Sequence, residues 1–219
     1  MQLITTADGS HTLYSEQFNE VYHSRHGALQ EAKHVYITQG FSQCTAQPLR
    51  VFEVGFGTGL NALLTLLQAE NDQRSVEYTT IEVQPLSIET IKQLNYTQLL
   101  GFAHCYGAYH TLHLCKWNEP VQIKPGFVFQ KLQQSLLQVP LPPAAFDLIY
   151  FDAFAPEHQP EMWTTAVFAK LYEAAAPGGL LVTYCAKGSV QRSLKDAGWQ
   201  VQKRPGPPGK REMIAALKQ

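Results

Sequence analysis

Val51-Phe52-Glu53-Val54-Gly55-Phe56-Gly57-Thr58-Gly59-Leu60-Asn61 is the stretch on which the reading of this chain turns. An apolar strand, Leu49–Val54, runs without a gap into three alternating glycines, and a largely apolar helix, Leu60–Ala69, follows. Glycine is needed where a turn takes positive φ or where backbone and ligand approach too closely for a Cβ. The helix behind the turn presents unpaired N–H groups, a ready seat for an anionic or polar ligand. Gly57-x-Gly59-x-x-Ala62 also fits the GxGxx(G/A) spacing of dinucleotide-binding turns, so a nicotinamide-linked oxidoreductase stays open on this motif alone.

Outward from that turn the pattern is regular. Val76–Val83 alternates as a strand, and Pro85–Leu94 has helical spacing behind a permitted N-terminal proline. Further strands are expected at Phe127–Gln130, Phe146–Phe151, Leu180–Cys185, Trp199–Lys203 and Glu212–Leu217, with helices at Met162–Ala175 and Gly188–Ala197. Strands alternating with helices predict a parallel, doubly wound α/β sheet. Ahead of it, Leu3–Ser15 reads as two short strands around Asp8-Gly9, a favoured hairpin dipeptide. Residues 1–46 are expected to form an N-terminal extension over the active site, and 47–219 the main domain, with an inserted element around 100–126.

Composition bounds the function. The 219 residues are 45% hydrophobic and 16% charged, a globular mixture large enough for a real core. Four scattered cysteines without a CxxC pair, no apolar leader and no long apolar run predict a cytoplasmic protein with reduced thiols and no membrane contact. The net charge of −1 hides an asymmetry: residues 1–186 carry −7, while 187–219 carry +6. Lys187, Arg192, Lys195, Lys203, Arg204, Lys210 and Arg211 are among the eight cations there, an excess that suits either a polyanion footprint or a solvated face. The Pro205–Gly209 loop would present Lys203, Arg204, Lys210 and Arg211 on a stiff hairpin, in reach of RNA phosphates. His104, Cys105, His110, His113 and Cys115 match no metal-ligand spacing, and no metal is expected. Phe127, Phe129, Trp163 and Trp199 read as core.

Two carboxylates complete the candidate site. Glu82 ends the strand after the glycine turn, where an acid can accept both hydroxyl protons of a ribose. Asp152 ends the buried strand in Asp147-Leu-Ile-Tyr-Phe-Asp152-Ala-Phe154-Ala-Pro156, on the sheet edge where doubly wound proteins bind ligands. A carboxylate there can hold an ammonium and later accept a proton, and the Phe154 ring can favour a cation. Each acid also has a plainer reading, as a loop-fixing or strand-end hydrogen-bond acceptor.

Asp8-Gly-Ser-x-Thr-Leu-Tyr14, Tyr22-His-Ser24, Gly27-Ala28, Glu53–Asn61, Phe151–Pro156, Pro160-Glu-Met-Trp163 and Lys210-Arg-Glu-Met213 together resemble the MnmC-type tRNA 5-methylaminomethyl-2-thiouridine methyltransferase family. The likeness runs from about residue 5 to residue 215. It implies a class I S-adenosylmethionine-dependent methyltransferase, Rossmann-like, with a mainly parallel seven-stranded sheet, helices on both faces and the last strand antiparallel. It further implies S-adenosylmethionine held by Glu53, Gly55, Gly57, Gly59, Asn61, Glu82 and Asp152, with Asp152 and Phe154 at the chemistry. Tyr22, Lys187, Lys203, Arg204, Lys210 and Arg211 would meet the substrate, the anticodon region of tRNA. The bifunctional members add an FAD-dependent oxidase domain that this chain is too short to contain, so no FAD is expected and a separate enzyme would supply the aminomethyl precursor. The residues before Asp147 lack the Gly-Asp pair of many relatives, leaving Gln130-Lys131-Leu132 or the following turn for the adenine side. A methyltransferase of small-molecule amines is the alternative.

Overall fold

The structure is a computed structural model that describes residues 1–219, the side chains of 102–104 excepted. Three short antiparallel strands, β1 (Gln2–Thr5), β2 (His11–Ser15) and β3 (Glu20–Val21), open the chain. Helix α1 (Ala28–Ala32) passes directly into a π-helical turn, Lys33–Thr38, and a 3₁₀ turn, Phe41–Gln43, follows. Strand β4 (Leu49–Val54), helix α2 (Leu60–Asn71) and strand β5 (Val76–Ile81) form the first β–α–β unit. Then come α3 (Ile88–Ile91), α4 (Tyr96–Leu99), α5 (Phe102–Leu114), β6 (Pro120–Lys124), β7 (Phe127–Leu132) and β8 (Phe146–Phe151). A 3₁₀ turn at Pro160–Trp163 leads into α6 (Thr165–Ala174), β9 (Ala175–Thr183), α7 (Gly188–Asp196), β10 (Gln200–Pro205) and β11 (Glu212–Leu217).

The large sheet has eight strands in the order β10-β11-β9-β8-β4-β5-β7-β6. The five central strands, β9, β8, β4, β5 and β7, pair in parallel, and β11 runs antiparallel to both its neighbours. The expected seven strands are joined by an eighth, β6, antiparallel on the far edge. It is supplied by the stretch around 100–126, which also forms α5.

Period-two burial explains the layers. Along β4, Val51 packs into one core with Leu60, Leu63 and Leu66 of α2, while Phe52 and Val54 pack into another with Phe168 and Leu171 of α6. Both faces of the sheet are therefore covered, and the loops at the carboxyl ends of β4, β5, β7 and β8 are left to build a site. Phe127, Phe129, Trp163 and Trp199 are all buried. Among the described residues no helix is long and apolar enough to cross a membrane.

Candidate functional site

The glycine turn lies at the carboxyl end of β4, and Gly55, Gly57 and Gly59 have φ of +90°, +47° and +72°. A Cβ on Gly55 would stand 2.7 Å from the Asp152 carbonyl oxygen, so the ends of β4 and β8 meet only because that atom is missing. A Cβ on Gly57 would lie 3.1 Å from the Tyr22 ring. Among the described residues no side chain caps α2, whose amino end opens at Gly59.

In front of this turn is a cavity of about 380 Å³, within the range of small-molecule sites. Its walls include Gly55, Gly57, Asn61, Glu82, Asp152 and Phe154, all expected from sequence, together with Tyr22 and Lys210. Glu82 accepts the Gly57 N–H at 3.0 Å and the Gln84 N–H at 2.9 Å. Burial pushes its carboxyl up, and these backbone donors oppose the shift. Val83, Gln84 and the turn Gln134–Leu137 also line the cavity. Of the two adenine-side expectations the turn therefore reaches the cavity. Lys131 does not: its ammonium donates to the His113 carbonyl at 2.5 Å and lies 4.5 Å from the Trp117 ring centroid.

Asp152 is held from two sides. The Tyr36 hydroxyl donates to Oδ1 at 2.6 Å, and the Asn61 amide donates to Oδ2 at 2.8 Å. Burial nevertheless pushes the carboxyl up to about 6, the two hydrogen bonds restraining the shift. Tyr36 sits on the π-helical turn, a winding that recurs at functional sites. Glu53 lies behind the turn, fully buried, and is not part of the cavity wall. Burial drives its carboxyl up to about 8. Thr80, Tyr78 and Asn61 oppose the shift, yet none closes a hydrogen bond to it. A neutral Glu53 can support the turn from behind, whereas direct ligand contact, expected from sequence, has no opening to pass through.

In the same cavity, Phe154 stacks on Phe18 with centroids 4.4 Å apart and meets the edge of Tyr22 at 5.0 Å. Glu20 accepts the Ala155 N–H at 2.9 Å and ties β3 to the loop after Asp152. His23, also on the wall, is pushed down to about 4 by burial and is neutral. Phe18, Glu20, Glu31, Tyr36 and Tyr184 are site residues that sequence reading missed. Four of them lie on strand, turn or helix segments of mixed periodicity, where the Tyr22-His-Ser24 and Gly27-Ala28 motifs and the expected extension pointed to the region but not to these side chains.

The basic residues are divided by the structure. Lys210 is drawn into the cavity, donating to Glu31 Oε1 at 2.5 Å with Tyr184 beneath it at 4.0 Å. Lys187 pairs with Glu157 and Lys203 with Glu212, and Arg204 donates to the Gln39 carbonyl at 3.2 Å. Arg211 is exposed. In the cysteine–histidine cluster, Cys105 is buried and His113 Nε2 lies 3.1 Å from the Thr58 carbonyl, while the side chain of His104 lies outside the described residues. Among the described residues no three His, Cys, Asp or Glu side chains gather as a metal site.

The residues fit S-adenosylmethionine. A cradle of glycines that excludes Cβ atoms, an acid at the end of β5 and an apolar rim at Val83 and Leu137, which are 48% and 50% exposed, are the parts such a ligand needs.

Comparison with known proteins agrees. A family described as S-adenosyl-L-methionine-dependent methyltransferase matches residues 112–219. The tRNA 5-methylaminomethyl-2-thiouridine biosynthesis bifunctional protein MnmC of Cupriavidus necator is 34% identical over 213 residues, covering 93% of this chain and 32% of the relative. Its counterpart in Cupriavidus metallidurans is 32% identical over 232 residues, covering 97% and 33%. The chain thus spans about a third of the length of the curated relatives it matches. The crystal structure of MNMC2 from Aquifex aeolicus superposes with a TM-score of 0.77 at 24% identity, covering all of this chain and 70% of that one. The chain is a homologue of the MnmC proteins and has the fold of the class I S-adenosylmethionine-dependent methyltransferases.

Proposed function

We propose that this protein is an S-adenosylmethionine-dependent N-methyltransferase that acts on the aminomethyl group of the wobble uridine in tRNA, giving 5-methylaminomethyl-2-thiouridine. One observation carries the reading: Asp152, fixed by Tyr36 and Asn61, shares a single cavity with the glycine turn and the Phe18–Phe154–Tyr22 aromatic wall. When bound, the cofactor supplies an electrophilic methyl on a sulfonium. Asp152, ionised near neutral pH, binds the acceptor ammonium and takes its proton through a carboxylate oxygen, leaving the lone pair free to form the N–C bond. The aromatic wall favours positive charge and keeps water from the nucleophile. Phe18–Ser24 and Glu31, from the first 46 residues, serve as the cover of the site. The names of the curated relatives support the tRNA substrate, and a tRNA substrate fits a cytoplasmic protein.

Mass spectrometry of tRNA nucleosides from cells that accumulate the aminomethyl precursor tests this, with and without the protein. Conversion to the methylaminomethyl nucleoside is expected. No conversion by a folded, S-adenosylhomocysteine-binding protein would overturn the tRNA substrate and leave a small-molecule amine as the acceptor.

A further inference from the structure

Lys210 belongs by sequence to the basic tail, yet its ammonium turns inward. Glu31 Oε1 holds it at 2.5 Å, the Tyr184 ring lies 4.0 Å beneath it, and it lines the cavity that contains Asp152. Glu31 is itself fixed, its Oε2 accepting the Ser24 N–H at 2.8 Å. A lysine ammonium has three N–H donors and no acceptor, and Glu31 engages one of them. Tyr184 is anchored in turn, donating to the Ala153 carbonyl at 2.9 Å. The cation is therefore a placed group rather than a mobile surface charge.

The chemistry of the acceptor gives that placement a meaning. In a 5-aminomethyl pyrimidine the aminomethyl arm and the C4 substituent sit on adjacent ring atoms. A site that binds the amine with one side chain must meet the C4 substituent with a near neighbour. Lys210 is such a neighbour of Asp152: the two line one cavity, and the Tyr184 ring under the ammonium is bonded to the carbonyl of Ala153, the residue after Asp152. Uracil carries an acceptor oxygen at C4 and cytosine an amino donor. An ammonium facing that amino group would leave both donors unpaired.

We propose that Lys210, held by Glu31, reads the base: it donates to the C4 carbonyl of the target uracil and rejects cytosine. The inference rests on the proposed aminomethyl-uridine substrate and adds a base-selecting residue to it. It also removes Lys210 from the set of phosphate-docking cations.

The test uses two anticodon stem–loop RNAs that differ only in carrying 5-aminomethyluridine or 5-aminomethylcytidine at the target position. Single-turnover methylation is measured for wild type, Lys210→Met and Lys210→Gln, with S-adenosylhomocysteine calorimetry as the check on folding. Wild type is expected to favour the uridine by about 10²-fold. Lys210→Met should lose roughly 10–100-fold on the uridine alone, the worth of a charged hydrogen bond, so that the preference collapses. Lys210→Gln offers an acceptor as well as a donor and should gain on the cytidine. Should Lys210→Met fail to bind S-adenosylhomocysteine, the base preference of Lys210→Gln decides. A uridine-to-cytidine ratio unchanged in the folded variants overturns the role of Lys210 and leaves the methyltransferase reading standing. A wild type that methylates neither RNA overturns the substrate reading, and the base-reading role with it.

Discussion

Asp152 and Glu53 stand near one another with opposite duties. Asp152 opens to the cavity and is raised only to about 6, because Tyr36 and Asn61 stabilise its charge, so it is ionised where an ammonium must be bound. The rate of methyl transfer should therefore fall below about pH 6 as this carboxylate is protonated. Asp152→Asn should remove that limb and lower the single-turnover rate by about 10²–10⁴-fold, with little change in tRNA affinity. A variant as fast as wild type across the pH series would move the chemistry to another group. Glu53 lies off the cavity wall with, among the described residues, no cation shifting it, and its carboxyl is raised from 4.5 to about 8. The folded chain keeps a proton there that the unfolded chain releases above 4.5. Stability from this group is thus complete below pH 4.5 and is lost as the pH climbs toward 8. Glu53→Gln should flatten the decline in denaturation midpoint over pH 5–8, a difference of about 2–4 kcal/mol. Parallel curves for the two proteins would show that Glu53 is not held neutral.

At the scale of elements, β4, the glycine turn and α2 form the unit whose interruption should be felt most sharply. Gly57 has φ of +47°, and a Cβ there approaches the Tyr22 ring at 3.1 Å. Gly57→Val should abolish S-adenosylhomocysteine binding in calorimetry while circular dichroism stays native, since strain at one turn residue is of order 1–3 kcal/mol. Retained affinity in the folded variant would show that the turn is not the cofactor seat, and wild-type competition by NAD would favour the dinucleotide alternative. This unit is legible in the sequence because strand, turn and helix each signal it independently. The same holds for β8 and Asp152, where a buried apolar run ends on an acid. The helix expected over Pro85–Leu94 shrinks to α3, which starts only after Ser87, whose hydroxyl accepts the Thr90 N–H as its cap, while Gln84 before it lines the cavity. The segment Glu16–Phe41 hides the most. Its π-helical turn has no 3.6-residue period to detect, and Glu31 and Tyr36 act on partners over 100 residues away, Lys210 and Asp152. Lys210 is misplaced by sequence reading for the same reason: local charge clustering says nothing of which cation a distant carboxylate will draw inward.

Over the whole molecule the charge asymmetry takes a different form from the one the sequence suggests. Of the tail cations, Lys210 lines the cavity, Lys187 and Lys203 lie in ion pairs and Arg204 is bonded to Gln39. Arg192, Lys195 and Arg211 are exposed and, among the described residues, have no carboxylate within ion-pairing distance. Those three are the cations best placed to gain from a phosphate, because no internal pair must be broken first. Surface pairs such as Lys203–Glu212 are worth little, so they can be exchanged for phosphate partners at small cost, but with smaller gain. Arg192→Ala with Lys195→Ala and Arg211→Ala should then weaken tRNA binding and flatten its log–log dependence on salt by roughly one for each phosphate left without its cation. S-adenosylhomocysteine affinity should stay at the wild-type value, since none of the three lines the cavity. Lys210→Met should leave the salt slope alone, because an ammonium that reads a base releases no counterion from phosphate. A triple variant with the wild-type slope would place the footprint on another face. A slope flattened by Lys210→Met as much as by Arg211→Ala would return Lys210 to the phosphates.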